Sequence, residues 1–221
     1  MCGRFTLLAD ELKIRERFGV YNDFELDGPN YNVAPGQNVL TIIYDGRDKR
    51  AGYLRWGLVP SWAKDEKIGY KMINARSETA HVKPSFKNLM TQRRCLVIAD
   101  SFYEWHKTDD GKVPKRFLLK NRELFAFAGL WDKWESEDKK VFTCTLLTTE
   151  ANEFMKEYHH RMPIILPREL EDDWLKTPFR SPKEAQQFLQ DIKLDPLTVY
   201  TVSNYVNNAR NNDATCIQPV D

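Results

Sequence analysis

The sequence has no long apolar run, no excess of one charge and no group of closely spaced cysteines. No hydrophobic stretch approaches the roughly 18–20 residues of a membrane-spanning helix, and the first residues lack the basic-then-apolar pattern of a secretory signal. These absences predict a soluble, cytoplasmic protein without a membrane partner. The 33 Lys and Arg residues nearly balance the 32 Asp and Glu residues. Bulk charge would therefore not hold the protein nonspecifically on duplex DNA, although a local anion site is compatible with this composition.

Signatures of metals and nucleotide cofactors are also missing. The four cysteines, Cys2, Cys95, Cys144 and Cys216, form no Cys-x-x-Cys pair, and the four histidines form no cluster with them. This argues against a structural zinc site and for reduced thiols. Neither Gly-x-Gly-x-x-Gly nor Gly-x-x-x-x-Gly-Lys-Ser/Thr occurs, so a nucleotide-phosphate cradle has no support. We therefore predict a protein that works without a metal or a cofactor.

The apolar content is sufficient for one domain over residues 1–221, because 42% of the residues are hydrophobic and 12% are aromatic. Short apolar runs predict strands at 39–44, 53–58, 95–99, 116–119, 124–130, 141–148 and 198–203. Helical patterns occur at 7–18, 150–158, 168–176 and 182–191. Turn-forming polar stretches separate several of the strands, at 45–46, 108–111 and 136–140. Strands joined by short turns, with helices collected outside them, predict an antiparallel α+β domain.

The chain starts with Met1-Cys2-Gly3-Arg4. A small second residue such as Cys favours removal of the initiator Met, which would leave an α-amine and a thiol on one residue. The amine titrates near ~8 and an ordinary thiol near ~8.5, so both are partly nucleophilic at neutral pH. With an aldehyde, such a 1,2-aminothiol forms an imine that the thiol closes into a five-membered thiazolidine. On this dipeptide alone, a chance or buried cysteine is the simpler interpretation.

Three further segments carry side chains suited to chemistry. MINARSE alternates Asn74, Arg76 and Glu78, which an extended strand would place on one face. ADSFYEW places Glu104 among aromatic residues, which disfavour a charged carboxylate and suit acid–base work. YHHRMP places two histidines beside an arginine where a helix ends. Each segment alone fits a structural role, as a sheet-edge ion pair, an aromatic core or a helix cap. That all four segments are inert together is much less expected.

Seven ordered motifs resemble those of the SOS response-associated peptidase (SRAP) family, also called abasic-site processing proteins. The number and order of these motifs make the resemblance specific, and they cover the whole chain. They are MCGRF (1–5), YNVAPGQ (31–37), RWGLVPSWA (55–63), INARSET (73–79), DSFYEW (100–105), HHRMP (159–163) and IQPV (217–220).

The resemblance implies a single α+β domain built around a mostly antiparallel, barrel-like sheet with peripheral helices. It implies that the protein loses Met1 and captures the ring-opened aldehyde of an abasic site in single-stranded DNA as a thiazolidine on Cys2. The crosslink would shield the lesion during DNA repair. The resemblance further suggests a lyase or crosslink-reversal activity, self-removal of Met1, and association with the bacterial nucleoid on damaged DNA. It names no replication partner.

Four catalytic residues follow from the resemblance, motif by motif. Cys2 is the nucleophile, Asn74 holds the Cys2 end in place, and Glu104 is the acid–base group. Proton transfer near the sugar belongs to the first His of the His-x-Arg-x-Pro pattern, which is His159 and not His160.

The resemblance also assigns six DNA contacts, namely three arginines as phosphate ligands, one hydroxyl contact and two tryptophans as apolar walls near displaced bases. In that order they are Arg4, Arg76, Arg161, Thr148, Trp62 and Trp105. Some family members carry a second aromatic residue directly after the position that matches Trp62, whereas this chain has Ala63. We therefore expect weaker stacking at a strand junction.

Two other functions compete with this interpretation. An N-terminal-nucleophile glutamine amidohydrolase also begins Met-Cys-Gly, but it needs an oxyanion hole that is usually built around an Asn-Gly pair, and the chain contains no Asn-Gly dipeptide. A noncatalytic reader of modified bases would use the aromatic residues as a cage, with Cys2 incidental. Glutaminase activity would identify the first, and binding that survives loss of the thiol would identify the second.

Overall fold

The computed structural model of the protein describes residues 2–220, in which the chain forms thirteen strands, six α-helices and four 3₁₀ turns. The strands are β1 (Arg4–Leu7), β2 (Asn30–Val33), β3 (Asn38–Tyr44), β4 (Lys49–Trp56), β5 (Asn74–Arg76), β6 (Arg94–Ala99), β7 (Ser101–Thr108), β8 (Gly111–Leu119), β9 (Phe125–Glu135), β10 (Lys140–Glu150), β11 (Arg161–Pro163), β12 (Ile165–Leu166) and β13 (Leu197–Thr201). The helices are α1 (Glu11–Phe18), α2 (Ser77–Ala80), α3 (Leu89–Gln92), α4 (Glu153–Lys156), α5 (Glu171–Lys176) and α6 (Pro182–Gln190). The 3₁₀ turns are Glu66–Lys71, Arg168–Leu170, Asn204–Asn207 and Ala214–Ile217.

Five of the strands close into a barrel. β10 pairs with β4, β4 with β3, β3 with β6, β6 with β9, and β9 again with β10. The pairings are antiparallel except that of β10 with β4, which is parallel. Outside this ring, β5 and β11 pair with β10, and β12 pairs with β9. The barrel therefore carries short extra strands on β10 and β9.

A second, antiparallel sheet has the strand order β13-β8-β7-β1-β2. An aromatic core connects it with the barrel. The ring of Phe5 on β1 lies 5.2 Å from that of Trp56 on β4 and 5.7 Å from that of Phe127 on β9. Cys2, just before β1, is buried in this same core. The start of the chain therefore lies between the barrel and the second sheet.

Strands of the barrel bury both of their faces. In β6, Leu96 and Ile98 belong to the core that helices α1, α5 and α6 cover, whereas Cys95, Val97 and Ala99 belong to the aromatic core. Successive side chains of a strand point to opposite faces. A continuous apolar run is therefore what a strand covered on both sides requires, and this is why the sequence pattern of β6 was easy to recognise.

The helices are short and lie on the outside of the sheets. Asp10 begins α1 by accepting a hydrogen bond from the backbone N–H of Lys13, and Gly19 ends it in the left-handed conformation with φ of 63°. Ser181 caps α6 in the same way as Asp10 caps α1. None of the helices within residues 2–220 has the length and apolar composition to span a membrane.

The predicted fold class, an α+β domain with a mostly antiparallel, barrel-like sheet, is confirmed. The predicted hairpins are present between β3 and β4, β7 and β8, and β9 and β10. Some details differ, and the helix predicted at 150–158 spans only Glu153–Lys156, because Glu150 still belongs to β10. β10 runs parallel to both β4 and β5, so the sheet is mixed. The helix predicted at 7–18 begins only at Glu11, because Leu7 still belongs to β1.

Candidate active site

Cys2 forms the floor of the candidate site. Its side chain is fully buried, and its thiol lies 3.6 Å from the backbone oxygen of Arg4. Burial raises the pKa of the Cys2 thiol well above its ordinary range, and the nearby charge of Glu104 raises it further. The thiol is therefore held in its neutral form, and it needs a proton acceptor when it reacts. Met1, whose removal the sequence predicts, lies outside the described residues.

Asn74 holds the backbone of Cys2. Its side-chain amide donates a hydrogen bond of 2.9 Å to the carbonyl oxygen of Cys2. Asn74 is the first residue of β5, which pairs with β10 opposite Leu146. The preceding residue, Ile73, is held at its carbonyl oxygen by the indole N–H of Trp56 at 2.8 Å. The backbone at Asn74 is thus fixed by pairing with β10 and by the bond from Trp56 to the preceding residue.

Glu104 enters the site from the second sheet. On β7, Phe102 belongs to the aromatic core that contains Cys2, whereas Tyr103 packs with Trp105 on the opposite face. By strand alternation Glu104 points to the same side as Phe102. Its side chain is buried, with 5% of its surface exposed. A carboxylate therefore reaches the aromatic core close enough for its charge to act on the thiol.

His159 lies where the segment after α4 turns into β11. Its Nδ1 lies 2.9 Å from the backbone nitrogen and 3.1 Å from the backbone oxygen of Arg161, so the backbone of Arg161 holds the ring in either tautomer. The ring stacks on His160 with 4.3 Å between centroids. Burial lowers the pKa of His159, and this outweighs the charge of Glu104, which raises it. Glu104 is therefore close enough to affect both the thiol and this imidazole.

Tyr158 anchors the histidine segment. Its ring packs edge-on against Phe117 at 5.1 Å and against His106 at 5.4 Å. His106 follows Glu104 by two residues on β7, so both point to the same face. Neither Tyr158 nor His106 was predicted from the sequence to belong to the site. Only the aromatic character of the residue directly before His159 could have indicated such an anchor.

Both terminal nitrogens of the Arg161 guanidinium are bonded within the protein. Its guanidinium donates to both carboxylate oxygens of Glu78 at 2.7 and 2.9 Å, and also to the hydroxyl of Thr148 at 3.1 Å. Burial raises the pKa of Glu78, but the hydrogen bonds and charge of Arg161, together with hydrogen bonds from backbone N–H groups, outweigh burial, so the net shift is downwards. Thr148 is fully buried. Its hydroxyl therefore faces Arg161 and not the surface.

The structure corrects the prediction that Glu78 shares a strand face with Asn74 and Arg76. β5 ends at Arg76 and α2 begins at Ser77, so Glu78 reaches Arg161 from a helix. The side chain of Arg76 is exposed, and within residues 2–220 it makes no hydrogen bond or ion pair. It lines a surface cavity of about 460 Å³ that is also lined by Glu150, Ala151, Lys156, His160 and Arg161.

Two of the predicted DNA contacts lie on the other face of the second sheet. Arg4 donates to the side chain of Asn32 at 2.8 Å and to the backbone oxygens of Val206 and Asn207 at 2.9 and 3.2 Å. Trp105 donates its indole N–H to the side chain of Asn207 at 2.7 Å. Both side chains therefore hold the C-terminal segment, away from the face of Glu104. Trp62, in contrast, is 59% exposed on the loop after β4.

The structure thus brings Cys2, Asn74, Glu104 and His159 together. The site combines a nucleophilic thiol with a carboxylate and an imidazole, which are groups that transfer protons in acid–base chemistry. Arg76, Arg161 and the cavity lie at its side, next to β5 and β11. Within the part of the chain that the structure describes, no three His, Cys, Asp or Glu side chains are placed to hold a metal ion.

Known proteins are similar to this chain in sequence and in fold. The family model described as SOS response associated peptidase (SRAP) matches residues 1–209. The chain is 50% identical to the abasic site processing protein YoqW of Bacillus subtilis (strain 168), over 99% of both chains. It is 30% identical to the abasic site processing protein HMCES of Gallus gallus, over 87% of this chain and 67% of that protein. A crystal structure of a protein from Bacteroides thetaiotaomicron matches with a TM-score of 0.88 at 26% identity, over 99% of this chain and 100% of that one. The chain therefore belongs to the SOS response-associated peptidase (SRAP) family.

Proposed function

We propose that the protein processes abasic sites in DNA and does so by forming a covalent bond through Cys2. The observation that carries this proposal is the hydrogen bond from Asn74 to the Cys2 carbonyl, which fixes the start of the chain beside Glu104 and His159. The relatives named above as abasic site processing proteins support the choice of substrate.

The proposed reaction begins after Met1 has been removed. The free amine of Cys2 attacks the C1′ aldehyde of the ring-opened abasic sugar, and the resulting carbinolamine loses water to give an imine. The thiol sulfur then bonds to the imine carbon, and the thiol proton moves to the nitrogen. Aldehyde and aminothiol thus become a thiazolidine and one water, with no change in oxidation state.

Proton transfers in this sequence fit the positions of two side chains. Opening the sugar ring and expelling water both need a donor and an acceptor, and Glu104 lies beside the thiol in apolar surroundings that suit this task. The Nδ1 of His159 is held by the backbone of Arg161, which fixes the position of the ring that transfers the proton. We assign ring opening to His159 and imine formation to Glu104.

The DNA backbone is proposed to follow the cavity beside β5 and β11. Arg76 is exposed there without a partner among residues 2–220, so it can bind a phosphate without breaking an ion pair. Arg161 also lines this cavity, where its guanidinium is bonded to Glu78 and to the hydroxyl of Thr148. Contacts of this kind position DNA without reading its sequence. A base-free nucleotide also leaves a strand at little unstacking cost, which favours single-stranded damaged DNA.

Four further properties belong to the same proposal. Strand cleavage and crosslink release would use the same imine and the same two proton-transfer groups. Met1 would leave by attack of the Cys2 thiol on the carbonyl carbon of the Met1–Cys2 peptide bond, which frees the Cys2 amine and forms a thioester. Water then hydrolyses the thioester to free Met1 and the Cys2 thiol, which is a self-processing peptidase step. The protein would act in the cytoplasm, on the nucleoid. Arg4 and Trp105 would contact DNA only where a strand passes over the face of the second sheet opposite Glu104.

A single experiment tests the proposal. The purified protein, with Met1 removal verified by intact mass, is incubated with single-stranded DNA that contains one abasic site, and denaturing gels are read for a heat-stable adduct. We expect an adduct in the wild type and none in Cys2→Ala. A variant that retains Met1 keeps the thiol but lacks the free amine, and we expect it to form none. A stable adduct with Met1 in place would exclude the thiazolidine, and glutaminase activity without any adduct would favour the amidohydrolase.

A further inference from the structure

The position of Cys2 relative to Glu104 depends on how β1 pairs with β7. Cys2 precedes β1, Glu104 lies on β7, and the two strands pair at three positions. The pairing of β1 with its other neighbour, β2, is irregular between Phe5 and Leu7. The bond from Asn74 attaches Cys2 to the barrel. The short pairing with β7 therefore has to place Cys2 along the sheet that carries Glu104.

The apolar side chains alone do not fix this pairing. Phe5 and Phe102 lie opposite each other, and both face the aromatic core. A shift of β1 by one residue would turn Phe5 away from that core, so burial excludes it. A shift by two residues would keep the alternation and yet move Cys2 along β7 by about 7 Å. Another feature must exclude the two-residue shift.

A group of buried polar side chains joins the two strands on the face opposite to the aromatic core. Thr6 and Ser101 lie opposite each other, and their hydroxyls are bonded to each other. The hydroxyl of Thr6 also donates to the carboxylate of Asp100, which accepts from the backbone N–H of Leu8 as well. The backbone N–H of Asp100 donates a hydrogen bond of 3.0 Å to the carbonyl oxygen of Thr6. Side chains therefore tie β1 to the start of β7.

Arg116 on β8 completes this group. Its guanidinium is buried, and it donates to the hydroxyl of Ser101 at 2.8 Å and to that of Tyr200 at 2.6 Å. It also lies 3.4 Å from the carboxylate of Asp100. Tyr200 donates in turn to the carbonyl oxygen of Ile217 at 3.0 Å, so the DSFYEW and IQPV motifs meet here. The polar cluster thus consists of Thr6, Asp100, Ser101 and Arg116.

We propose that the polar cluster holds β1 in register on β7 and thereby positions Cys2 for proton transfer with Glu104. A two-residue shift would take the hydroxyl of Thr6 and the carboxylate of Asp100 away from their partners, and buried polar groups without partners are costly. Because the cluster lies on the face opposite to Glu104, its members are positioning residues. The proposal rests on the proposed function, since it takes capture by Cys2 as the reaction that the register serves.

The test compares two variants of Thr6 by the single-turnover rate of adduct formation at saturating single-stranded DNA with one abasic site. Thr6→Val keeps the branched shape of the side chain but removes the hydroxyl. We expect it to slow the reaction about 5- to 50-fold, because small displacements of reacting groups are costly. Thr6→Ser keeps the hydroxyl and should react at nearly the wild-type rate. Both should bind a tetrahydrofuran abasic analogue, which has no aldehyde, as tightly as the wild type.

A double-mutant cycle with Glu104→Gln shows whether Thr6 acts through the alignment of Cys2 with Glu104. Once the acid–base group is gone, the placement of Cys2 relative to that group no longer affects the rate. Adding Thr6→Val to Glu104→Gln should therefore slow the reaction by less than about 2-fold. A role of Thr6 in stability alone would not produce this coupling.

Thr41→Val is the matched control. Thr41 is buried on β3, and its hydroxyl donates to the carbonyl oxygen of Gly52 at 3.0 Å. The change removes the same group at a distance from β1, so the melting temperature should fall while the rate per folded molecule stays at the wild-type level. Ser101→Ala removes the partner of Thr6 from the opposite strand. It should slow the reaction as Thr6→Val does, and it replaces that variant should Thr6→Val fail to fold.

The proposal is overturned if Thr6→Val and Ser101→Ala both react at the wild-type rate, or if Thr6→Val slows the reaction equally with and without Glu104. It is also overturned if Thr6→Ser or Thr41→Val is as slow as Thr6→Val. Wild-type rates in every cluster variant would reject the positioning role and leave the proposed function intact. If the wild type itself formed no adduct, the covalent function would be rejected and this proposal with it.

Discussion

The neutral thiol of Cys2 determines the order of events at the residue scale. Burial and the charge of Glu104 both raise the pKa of this thiol, so little thiolate exists at neutral pH. The amine must therefore react first, and the thiol follows when its proton can leave. Because Glu104 is close enough for its charge to act on the thiol, it can take that proton during ring closure and pass it to the nitrogen. The same carboxylate that suppresses the free thiolate thus serves the step in which the thiol is consumed.

We predict that Glu104→Gln slows adduct formation about 10²- to 10⁴-fold, which is the usual contribution of a general acid–base group. Glutamine keeps the shape and hydrogen bonding of the side chain but cannot accept and release the proton. Binding to a tetrahydrofuran analogue should stay near the wild-type level. The measurement is the single-turnover rate of adduct formation over a pH series. Unchanged rates at every pH would show that Glu104 is structural.

The adjacent histidines provide a second prediction. His159→Ala should slow adduct formation or release, because the backbone of Arg161 holds the ring of His159 and the charge of Glu104 acts on it. His160→Ala should leave the rate per bound DNA near wild type. Burial lowers the pKa of His159, so the ring stays neutral to lower pH than the ordinary value of ~6.5. The loss of rate in acid that this ring causes should therefore occur below that pH and disappear in His159→Ala. A damaging His160→Ala and a silent His159→Ala would reverse the assignment.

At the scale of elements, the hydrophobic periodicity predicted the buried strands, but it did not predict the short strands or where they end. The apolar runs of β6 and β9 were recognised because each supplies side chains to two cores. β1 was missed, because it is only four residues long and begins with Arg4. The motifs located Asn74 and Arg161, but no pattern showed that Glu78 turns into a helix after β5 and pairs with Arg161. That contact depends on where a three-residue strand ends, which tertiary packing decides.

Arg94 links two helices to the barrel and carries a prediction about stability. Its guanidinium is buried and donates to five backbone oxygens at the C-terminal ends of α3 and α5, while no carboxylate within residues 2–220 pairs with it. The acceptors are Met90, Thr91, Trp174, Leu175 and Thr177. Burial lowers its pKa to about 10. The partial negative charge of the two helix ends stands in place of a counterion.

We predict that Arg94→Met lowers the free energy of unfolding by about 3 kcal/mol, because several buried carbonyl oxygens lose their donors at once. Arg94→Lys should cost less, since an ammonium keeps the charge but offers three donors in place of five. Urea unfolding followed by far-UV circular dichroism measures both. If Arg94→Met were as stable as the wild type, the helix ends would not depend on this side chain.

At the scale of the whole molecule, the near-zero net charge and the proposed DNA site are compatible because the positive charge is local. Most arginines are bound within the protein: Arg4 holds the C-terminal segment, Arg94 holds two helices, and Arg161 pairs with Glu78 at the edge of the cavity. Arg76 is exposed and has no such contact within residues 2–220. The protein should then contact few phosphates, all of them at the cavity beside β5 and β11. Its affinity for DNA of any sequence should therefore be modest.

Replacing these arginines by alanine should therefore have different effects on DNA affinity, on its salt dependence and on the melting temperature. Each phosphate contact to single-stranded DNA contributes about 0.7 to the slope of log affinity against log salt, so Arg76→Ala should weaken binding and flatten this slope by that amount without lowering the melting temperature. Arg161→Ala should also weaken binding, but it leaves Glu78 without its partner and lowers the melting temperature as well. Arg50→Ala, near the start of β4, is the control and should change neither slope nor adduct formation. Fluorescence anisotropy over a salt series measures all three. Weaker binding by Arg76→Ala with an unchanged slope would mean that Arg76 contacts the DNA at something other than a phosphate.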